Sequence, residues 1–238
     1  MIKAFAFDLF GTLVDTTSII KAFPEVNIKI NKNNLKSFIE MWYSKQLQYA
    51  WLSTLLNKYE PFSELSKRAL IFTAKVYGVE LSDENITKLN EAKLHLEAFP
   101  GSKVGLEELR NKVTTRKGDE EIKIVVLSNG EEDKTDKVLS NNNIKEYFDH
   151  IFSVEEVKKY KPSPEAYRMA SEKLNIPTSE ISMVSSNLWD IAGAQSVGMQ
   201  TCWINREDAK TNEELHLKPD NVVVLSSIKD LKGIIQFN

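Results

Sequence analysis

The sequence predicts an α/β protein in which a doubly wound parallel sheet carries an inserted all-helical block. Two observations predict this fold. The first apolar run, residues 2–7, ends at Asp8 and Gly11, as a buried strand followed by a turn would. After Pro100, strand and helix patterns alternate, which is typical of a parallel sheet with helices on both faces. A chain of 238 residues is long enough for such a sheet domain and a smaller second domain.

Residues 16–98 have the pattern of helices only. From about residue 33 to residue 57, apolar residues recur at helical spacing without glycine or proline, which predicts a long amphipathic helix. A second helix is predicted after Pro61 and ends where Gly78 is a suitable C-cap. A third is predicted over residues 82–98, because it opens with a serine and two acidic residues.

The alternating part begins with a predicted helix at 102–112 and a predicted strand at 122–127. Further strands are predicted at 151–153, 181–185, 201–204 and 221–225, and further helices at 164–174 and 188–197. Residues 114–121 are strongly polar, which predicts an exposed loop.

These patterns divide the chain into two predicted domains. The sheet domain comprises residues 1–15 and 99–238, and a helical cap domain comprises residues 16–98. Because the cap is inserted after the first strand, we expect hinges near residues 14–17 and 97–101.

The charge balance predicts a small-molecule partner. With 31 basic and 34 acidic residues the net charge is -3, which argues against binding to nucleic acid or to an anionic membrane.

Cys202 is the single cysteine, so the chain can form neither an internal disulfide nor a thiolate metal cluster. No apolar run approaches the roughly 20 residues that span a bilayer, and no secretory signal is evident. We therefore expect a cytoplasmic protein.

Polar side chains follow three predicted strands at their carboxyl ends, where ligands bind in open parallel sheets. Asp8 follows the first strand, Ser128-Asn129-Gly130 follows the second, and Ser185 to Asp190 follow a later one. Lys161 lies between the last two, in a turn that contains two prolines. Together these segments supply a nucleophile, a cation, a second carboxylate and several hydroxyl and amide groups.

With these segments the sequence resembles the haloacid dehalogenase superfamily, and most closely its L-2-haloacid dehalogenases. The motifs are Asp8 with Phe10-Gly11-Thr12-Leu13, Leu127-Ser128-Asn129-Gly130, Tyr160-Lys161-Pro162, and Val184-Ser185-Ser186-Asn187 leading to Asp190. The resemblance covers nearly the whole chain. It implies a Rossmann-like core with a helical cap, a homodimer, and hydrolysis of short L-2-haloalkanoic acids to 2-hydroxy acids through an ester on Asp8.

Two positions favour dehalogenation over phosphate ester cleavage. In the phosphatase branch of the superfamily, a second aspartate protonates the leaving alkoxide, and here that position is Phe10. A halide is a weak base and needs no proton to leave. Ser186 stands where that branch has a metal-ligating aspartate, so we expect Lys161 to balance the charge of Asp8, with no metal and no cofactor.

The resemblance implies roles for individual residues. The predicted catalytic residues are Asp8, Lys161, Asp190, Ser185, Asn187 and Thr12. The predicted substrate contacts are Phe10, Leu9, Tyr43, Ser128, Asn129 and Tyr167. Ser128 is expected to bind the substrate carboxylate and Asn129 to face the departing halide, while Tyr167 orients the lysine or a carboxylate. Ser185 and Asn187 are also suitable caps for the helix that follows them.

Tyr43 departs from the family pattern, which has an arginine there to stabilise the halide. A phenol donates one hydrogen bond but carries no charge, and no basic residue lies one turn away on the same helix face. Loss of a preorganised donor typically costs about 2.7–4 kcal/mol of barrier stabilisation. Two alternatives therefore remain open: a Mg²⁺-dependent small-molecule phosphatase, and a ligand-binding protein that keeps the fold without turnover.

Overall fold

The computed structural model describes residues 1–26, 28–114, 122–206 and 222–234. Its strands are β1 (Ala4–Phe7), β2 (Lys123–Ser128), β3 (His150–Ser153), β4 (Ile181–Ser185), β5 (Gln200–Ile204) and β6 (Val222–Leu225). Its α-helices are α1 (Lys32–Leu55), α2 (Phe62–Val76), α3 (Asp83–Ala92), α4 (Ser102–Thr114), α5 (Glu132–Asn141), α6 (Pro164–Leu174), α7 (Leu188–Ser196) and α8 (Leu231–Ile234). None of these helices is long and apolar enough to cross a membrane.

The six strands form one sheet in the order β3-β2-β1-β4-β5-β6, and every neighbouring pair is parallel. This confirms the predicted doubly wound α/β fold. The strand order reverses between β1 and β4, and such a reversal opens a crevice at the carboxyl ends of the strands. Phe7 pairs with Val126 on one side and Val184 on the other, so the residue after it, Asp8, lies in the middle of that edge.

The helical insertion begins and ends at the same place. Val14 and Ala98 form an isolated antiparallel bridge. The Phe99 N–H donates to the Leu13 carbonyl at 3.0 Å, and the Asp15 N–H donates to the Glu97 carbonyl at 2.7 Å. The two connections between the sheet and the inserted helices therefore run side by side.

Several predicted boundaries differ from the structure. The third inserted helix ends at Ala92 and not near Ala98, because the chain must become extended to pair with the segment around Asp15; a 3-10 turn, Lys93–His95, makes the change. Residues 16–26 form a 3-10 helix. Helix α5 was not predicted, and Thr114 belongs to α4. The rest of the predicted loop, 115–121, lies outside the described residues, as does residue 221 of the last predicted strand.

The inserted helices pack against one another beside the sheet, and their buried residues join those of the sheet in one hydrophobic cluster. Trp42 and Phe38 on α1 are completely buried, and the Trp42 indole N–H donates to the Ser66 carbonyl of α2 at 2.9 Å. Burial of one such side chain contributes about 1.5–3 kcal/mol. This packing fixes the rotation of α1, which sets the direction of the next residue, Tyr43.

Candidate active site

The predicted site residues come together where the strands end. Asp8 follows β1, Asn129 follows β2, and Ser185 is the last residue of β4. Lys161 precedes α6, and Asp190 lies in the first turn of α7. The topology therefore brings four separate segments of the chain to one edge of the sheet.

At the centre of the site, one lysine bridges two carboxylates. Lys161 Nζ donates to Asp8 Oδ1, Asp190 Oδ2 and the Leu127 carbonyl, each at 2.9 Å. Lys161 and Asp190 are completely buried. Burial alone would lower the pKa of Lys161, but the charges of Asp190 and Asp8 outweigh it and raise that pKa above its ordinary value. The ammonium stays charged, and all three of its N–H groups are used.

The second carboxylate oxygen of Asp8 is held separately. Asp8 Oδ2 accepts hydrogen bonds from Thr12 Oγ1 at 2.7 Å and from Asn187 Nδ2 at 2.9 Å. The Thr12 hydroxyl in turn accepts from the Ser186 N–H at 2.9 Å. Gly11, with a φ of 83°, provides the left-handed turn that brings Thr12 back toward Asp8. Three side-chain donors thus hold the carboxylate in one orientation.

Asp190 is positioned from its other side by a tyrosine. The Tyr167 hydroxyl donates to Asp190 Oδ1 at 2.7 Å, and both residues are completely buried. Burial raises the pKa of Asp190 above its ordinary value; Lys161 opposes this rise and Asp8 adds to it. The pKa of Tyr167 is also raised, first by burial and then by the charge of Asp190, so the phenol keeps its proton and remains a donor. Asp190 is the carboxylate here whose environment favours taking up a proton.

Gly193 on α7 leaves room for this tyrosine. A Cβ at position 193 would lie 2.7 Å from Tyr167 Cε2 and 2.6 Å from Pro162 Cβ. We expect Gly193→Ala to lower the free energy of unfolding by about 1–3 kcal/mol through overpacking and to weaken the bond between Tyr167 and Asp190. Chemical denaturation measures the first effect. An exposed helical position would instead gain about 1 kcal/mol from the same change, so an increase in stability would contradict this packing.

The predicted serines lie in the turns behind the site. Ser185 Oγ accepts from the Asn187 N–H at 3.1 Å, and Ser128 Oγ accepts from the Gly130 N–H at 3.0 Å and from the Thr135 hydroxyl at 3.3 Å. Both serines are completely buried. These bonds shape the backbone that presents the neighbouring residues.

A cavity of about 460 Å³ opens in front of Asp8, within the range of small-molecule sites. The surface that lines it is mostly apolar. Its walls come from the sheet edge on one side and from the inserted helices on the other. The sheet side includes Asp8, Phe10, Asn129, Asn187 and Trp189, and the helical side includes Tyr43, Leu47, Phe62 and Lys93.

In the Asn129 side chain, the amide oxygen has a hydrogen-bond partner and the amide nitrogen has none among the described residues. Its Oδ1 accepts from the Lys161 N–H at 2.9 Å, which fixes the direction of the amide. Its buried Nδ2 has no hydrogen-bond partner among the described residues, and the side chain lines the cavity. A buried donor without a partner is costly, so this amide is suited to binding an acceptor on a ligand.

The carboxylates offer little to a divalent cation. The ammonium of Lys161 already lies between Asp8 and Asp190. Ser186, at the position of a ligating aspartate in phosphatases, accepts from Arg206 Nη1 at 2.7 Å, which puts a second cation beside this turn. Among the described residues, no group of three or more His, Cys, Asp and Glu side chains is placed to hold a metal. That no metal takes part stays a prediction.

A model of haloacid dehalogenase-like hydrolases matches residues 2–198 of this sequence. The chain belongs to this family. It is 37% identical over 235 residues to the (S)-2-haloacid dehalogenase of Pseudomonas sp. (strain YL), covering 97% of this chain and 94% of that protein. It is 32% identical over 240 residues to (S)-2-haloacid dehalogenase 2 of Pseudomonas sp. (strain CBS-3), covering 99% and 96%.

Solved structures give the same result. The L-2-haloacid dehalogenase from Xanthobacter autotrophicus with chloropropionic acid covalently bound superposes with a TM-score of 0.85 at 25% identity, covering 100% of this chain and 99% of that one. The resemblance inferred from the four motifs is therefore confirmed.

For this haloacid dehalogenase-like hydrolase, the predicted site residues fall into three groups. Those that line the cavity are Asp8, Phe10, Tyr43, Asn129 and Asn187. Those that lie behind Asp8 are Asp190 and the three residues that contact Asp8 or Asp190, namely Thr12, Lys161 and Tyr167. Ser128, Ser185 and Leu9 do not line the cavity, and the Leu9 side chain is completely buried in the core. The catalytic and substrate roles of all these residues stay predictions.

Tyr43 lies in the cavity with a buried hydroxyl that has no partner among the described residues. Two effects raise the pKa of Tyr43 far above its ordinary value: burial, which is the larger, and the charge of Asp15. The phenol therefore remains protonated. The sequence showed no basic residue near it on its helix, but the structure places Lys93 Nζ 4.7 Å from the centre of the Tyr43 ring. Lys93 therefore places a positive charge beside Tyr43, from a segment 50 residues further along the chain.

Sequence reasoning missed Lys93, although one signal for it exists. Ile86 and Leu89 are buried on α3, and Lys93 follows them at helical spacing on the same face. A lysine that continues a buried apolar face is unusual. In the sequence, that pattern identifies Lys93 as a candidate functional residue.

Proposed function

We propose that this chain hydrolyses short L-2-haloalkanoic acids to 2-hydroxy acids through an ester on Asp8, without a metal. The observation that carries the proposal is the Asp8 carboxylate at the cavity, held by Lys161, Thr12 and Asn187. The curated relatives named above are (S)-2-haloacid dehalogenases, which supports the substrate class.

In the first step, an oxygen of Asp8 attacks the α-carbon of the substrate. A carbon–oxygen bond forms as the carbon–halogen bond breaks, and the halide leaves with the bonding electrons and needs no proton. Attack from the side opposite the halide inverts the α-carbon. The negative charge of Asp8 passes to the halide, which leaves Lys161 and Asp190 as a neutral ion pair.

In the second step, water attacks the Asp8 carbonyl carbon. We assign the proton of this water to Asp190, because Asp190 is the carboxylate that remains beside Lys161 once Asp8 is an ester, and burial raises its pKa. The ester bond breaks, Asp190 passes its proton to the leaving alkoxide to give the 2-hydroxy acid, and the second proton of the water is released to solvent. Asp8 returns to a carboxylate that carries one oxygen from water. The products are the hydroxy acid, one halide and one proton.

Phosphate ester cleavage fits the geometry less well. The alkoxide that leaves a phosphate ester needs a proton, and the residue two positions after Asp8 is Phe10, which lines the cavity without a proton to give. The position between the two carboxylates is already taken by the Lys161 ammonium.

Isotope transfer in a single turnover tests this proposal. With excess enzyme and L-2-chloropropionate in H₂¹⁸O, we expect chloride release that resists EDTA and ¹⁸O in the Asp8 carboxyl group, seen by peptide mass spectrometry. The D enantiomer is the matched control. Label in the hydroxy acid with none in Asp8, or Mg²⁺-dependent phosphate release from a generic ester without chloride release, would contradict the proposal.

Three further features belong to the same proposal. The sheet domain would comprise residues 1–15 and 99–238, and residues 16–98 would form the cap that closes the cavity; the paired connections around Val14 and Ala98 support this division. We also propose a homodimer, which light scattering tests, and a cytoplasmic location, which fractionation of the native cells tests.

A further inference from the structure

Lys93 is an unusual lysine because its side chain is partly buried and its ammonium uses only some of its hydrogen-bond donors. Nζ donates to the Gln46 side-chain oxygen and to Ser66 Oγ, the latter at 2.8 Å. An ammonium has three N–H groups, and the third has no acceptor among the described residues. Lys93 also lines the cavity that Asp8 borders. One donor of a partly buried cation is therefore available to a ligand in that cavity.

This ammonium has no counter-ion among the described residues. The carboxylate whose charge acts on it is Glu131, which accepts from Lys134 Nζ at 2.6 Å and from Ser63 Oγ at 2.5 Å. Burial lowers the pKa of Lys93 to about 7; Glu131 opposes this change and Lys134 adds to it. Lys161, by contrast, forms ion pairs with two carboxylates. A partly buried cation without a carboxylate partner is stabilised by an anion that binds from solution.

The surroundings of Lys93 suit a weakly hydrated anion. Its Nζ lies 5.0 Å from the centre of the Trp42 ring and 4.7 Å from that of Tyr43. The Tyr43 hydroxyl and Asn129 Nδ2 are the two other buried donors in this cavity that lack partners among the described residues. Both are neutral, so Lys93 supplies the charge.

We propose that Lys93, with the Tyr43 hydroxyl, binds the halide that leaves the substrate, and so replaces a cation that position 43 does not provide. This inference rests on the proposed function. As the α-carbon bond breaks, negative charge moves from Asp8 to the halogen, and a fixed ammonium beside the halogen stabilises that charge where it develops. Lys93 is then a catalytic residue of the first step only.

Direct halide binding tests the subsite without turnover. Bromide quenches tryptophan fluorescence, and Trp42 lies beside Lys93. We expect saturable quenching by bromide, at constant ionic strength, in the wild type and in Lys93→Arg, and its loss in Lys93→Met. Lys88→Met is the matched control, because Lys88 is exposed and pairs with Glu84 on α3. If acetate displaces bromide at far lower concentration than chloride does, the subsite binds the substrate carboxylate and the halide assignment is wrong.

Kinetics gives an independent test. We expect Lys93→Met to lower the rate of ester formation on Asp8 by about 10²–10³-fold, the usual effect of losing one preorganised donor, with a smaller loss for 2-bromopropionate than for 2-chloropropionate. Hydrolysis of the preformed ester should be unchanged. In the Lys93→Met background, Tyr43→Arg should restore part of the rate. Equal losses in both steps would mean a structural role and would overturn the proposal.

The pH dependence provides a test in the unaltered protein. Because Lys93 has a pKa of about 7 beside Glu131, Lys134 and the protonated Tyr43, bromide affinity and kcat/KM should both fall as the pH rises through this value. Lys93→Arg should move that fall to higher pH. The measurement on the unaltered protein does not depend on the folding of any variant. Bromide affinity that stays constant as the pH rises through 7 would overturn the proposal.

The two proposals fail in different ways. If the wild type binds bromide through Lys93 but releases no chloride from L-2-chloropropionate, the proposed function is wrong and the anion subsite stands. If chloride release is rapid and Lys93→Met neither slows it nor loses bromide quenching, the proposed function stands and the subsite is wrong.

Discussion

Replacing Asp8 by asparagine is expected to lower chloride release from L-2-chloropropionate by about 10⁶-fold, a loss of the size seen when a covalent nucleophile is removed. An amide nitrogen is a poor nucleophile, and Asp190, the other carboxylate held by Lys161, does not line the cavity and cannot take the place of Asp8. Steady-state chloride release measures the loss. Intact-protein mass spectrometry should show no ester on the variant.

The structure also indicates that this variant folds. With its amide oxygen at the Oδ2 position, asparagine at position 8 can still accept from Thr12 and Asn187. It loses the bond from Lys161, which keeps its ion pair with Asp190. Asp133→Asn, at an exposed position of α5, is the matched control and should be fully active. Residual activity is meaningful only in protein whose mass excludes deamidation back to aspartate. Turnover near the wild-type rate under that condition would show that Asp8 is not the nucleophile.

Lys161→Met should be the most destabilising of these changes. It leaves Asp8 and Asp190 buried together without their shared cation, and breaking a buried ion pair in this way costs about 3–5 kcal/mol. Chloride release should fall as well, because Asp8 loses one of the three donors that orient it. Urea denaturation at several pH values measures the stability.

The pH dependence of this loss has a definite sign. Burial and the charge of Asp8 already raise the pKa of Asp190, and without Lys161 nothing on that side opposes the rise. A carboxyl group whose pKa is raised by folding stabilises the protein at low pH and loses that contribution as the pH rises through the raised pKa. The stability gap between variant and wild type should therefore widen with increasing pH. A gap independent of pH would contradict the ion-pair geometry.

A surface pair provides the comparison. Lys145 pairs with Asp136 at 2.5 Å, with both side chains well exposed. Because exposed pairs contribute only about 0–1 kcal/mol, Lys145→Met should have little effect on stability at any pH. A loss there as large as that at position 161 would indicate that burial does not control the cost.

The sheet edge was predictable because its signals are local. Each buried strand ends in a polar motif, and parallel strands bring their carboxyl ends together, so Asp8, Asn129 and Ser185 meet at one edge in the structure. Helix α5 gave no such signal. Its buried residues are Thr135, Val138 and Leu139, which is too short an apolar pattern to distinguish a helix from a loop.

The helical wall of the cavity was not predictable in the same way. Tyr43 lies on α1 and Lys93 follows α3, and only the packing of the inserted helices brings their side chains together. A search along one helix face for a charged neighbour of Tyr43 finds none, because the neighbour comes from the return connection. The hydrogen bonds of Ser128 and Ser185 to turn backbone are likewise visible only once the turns are folded.

The side-by-side connections around Val14 and Ala98 have a consequence for how such a chain can change over evolution. Since the insertion leaves and rejoins the sheet at adjacent points, helices can lengthen, shorten or be exchanged there without shifting the register of any strand. The entropic cost of closing a longer loop grows only slowly with its length. Residues at the sheet edge and residues on the inserted helices can therefore change at independent rates.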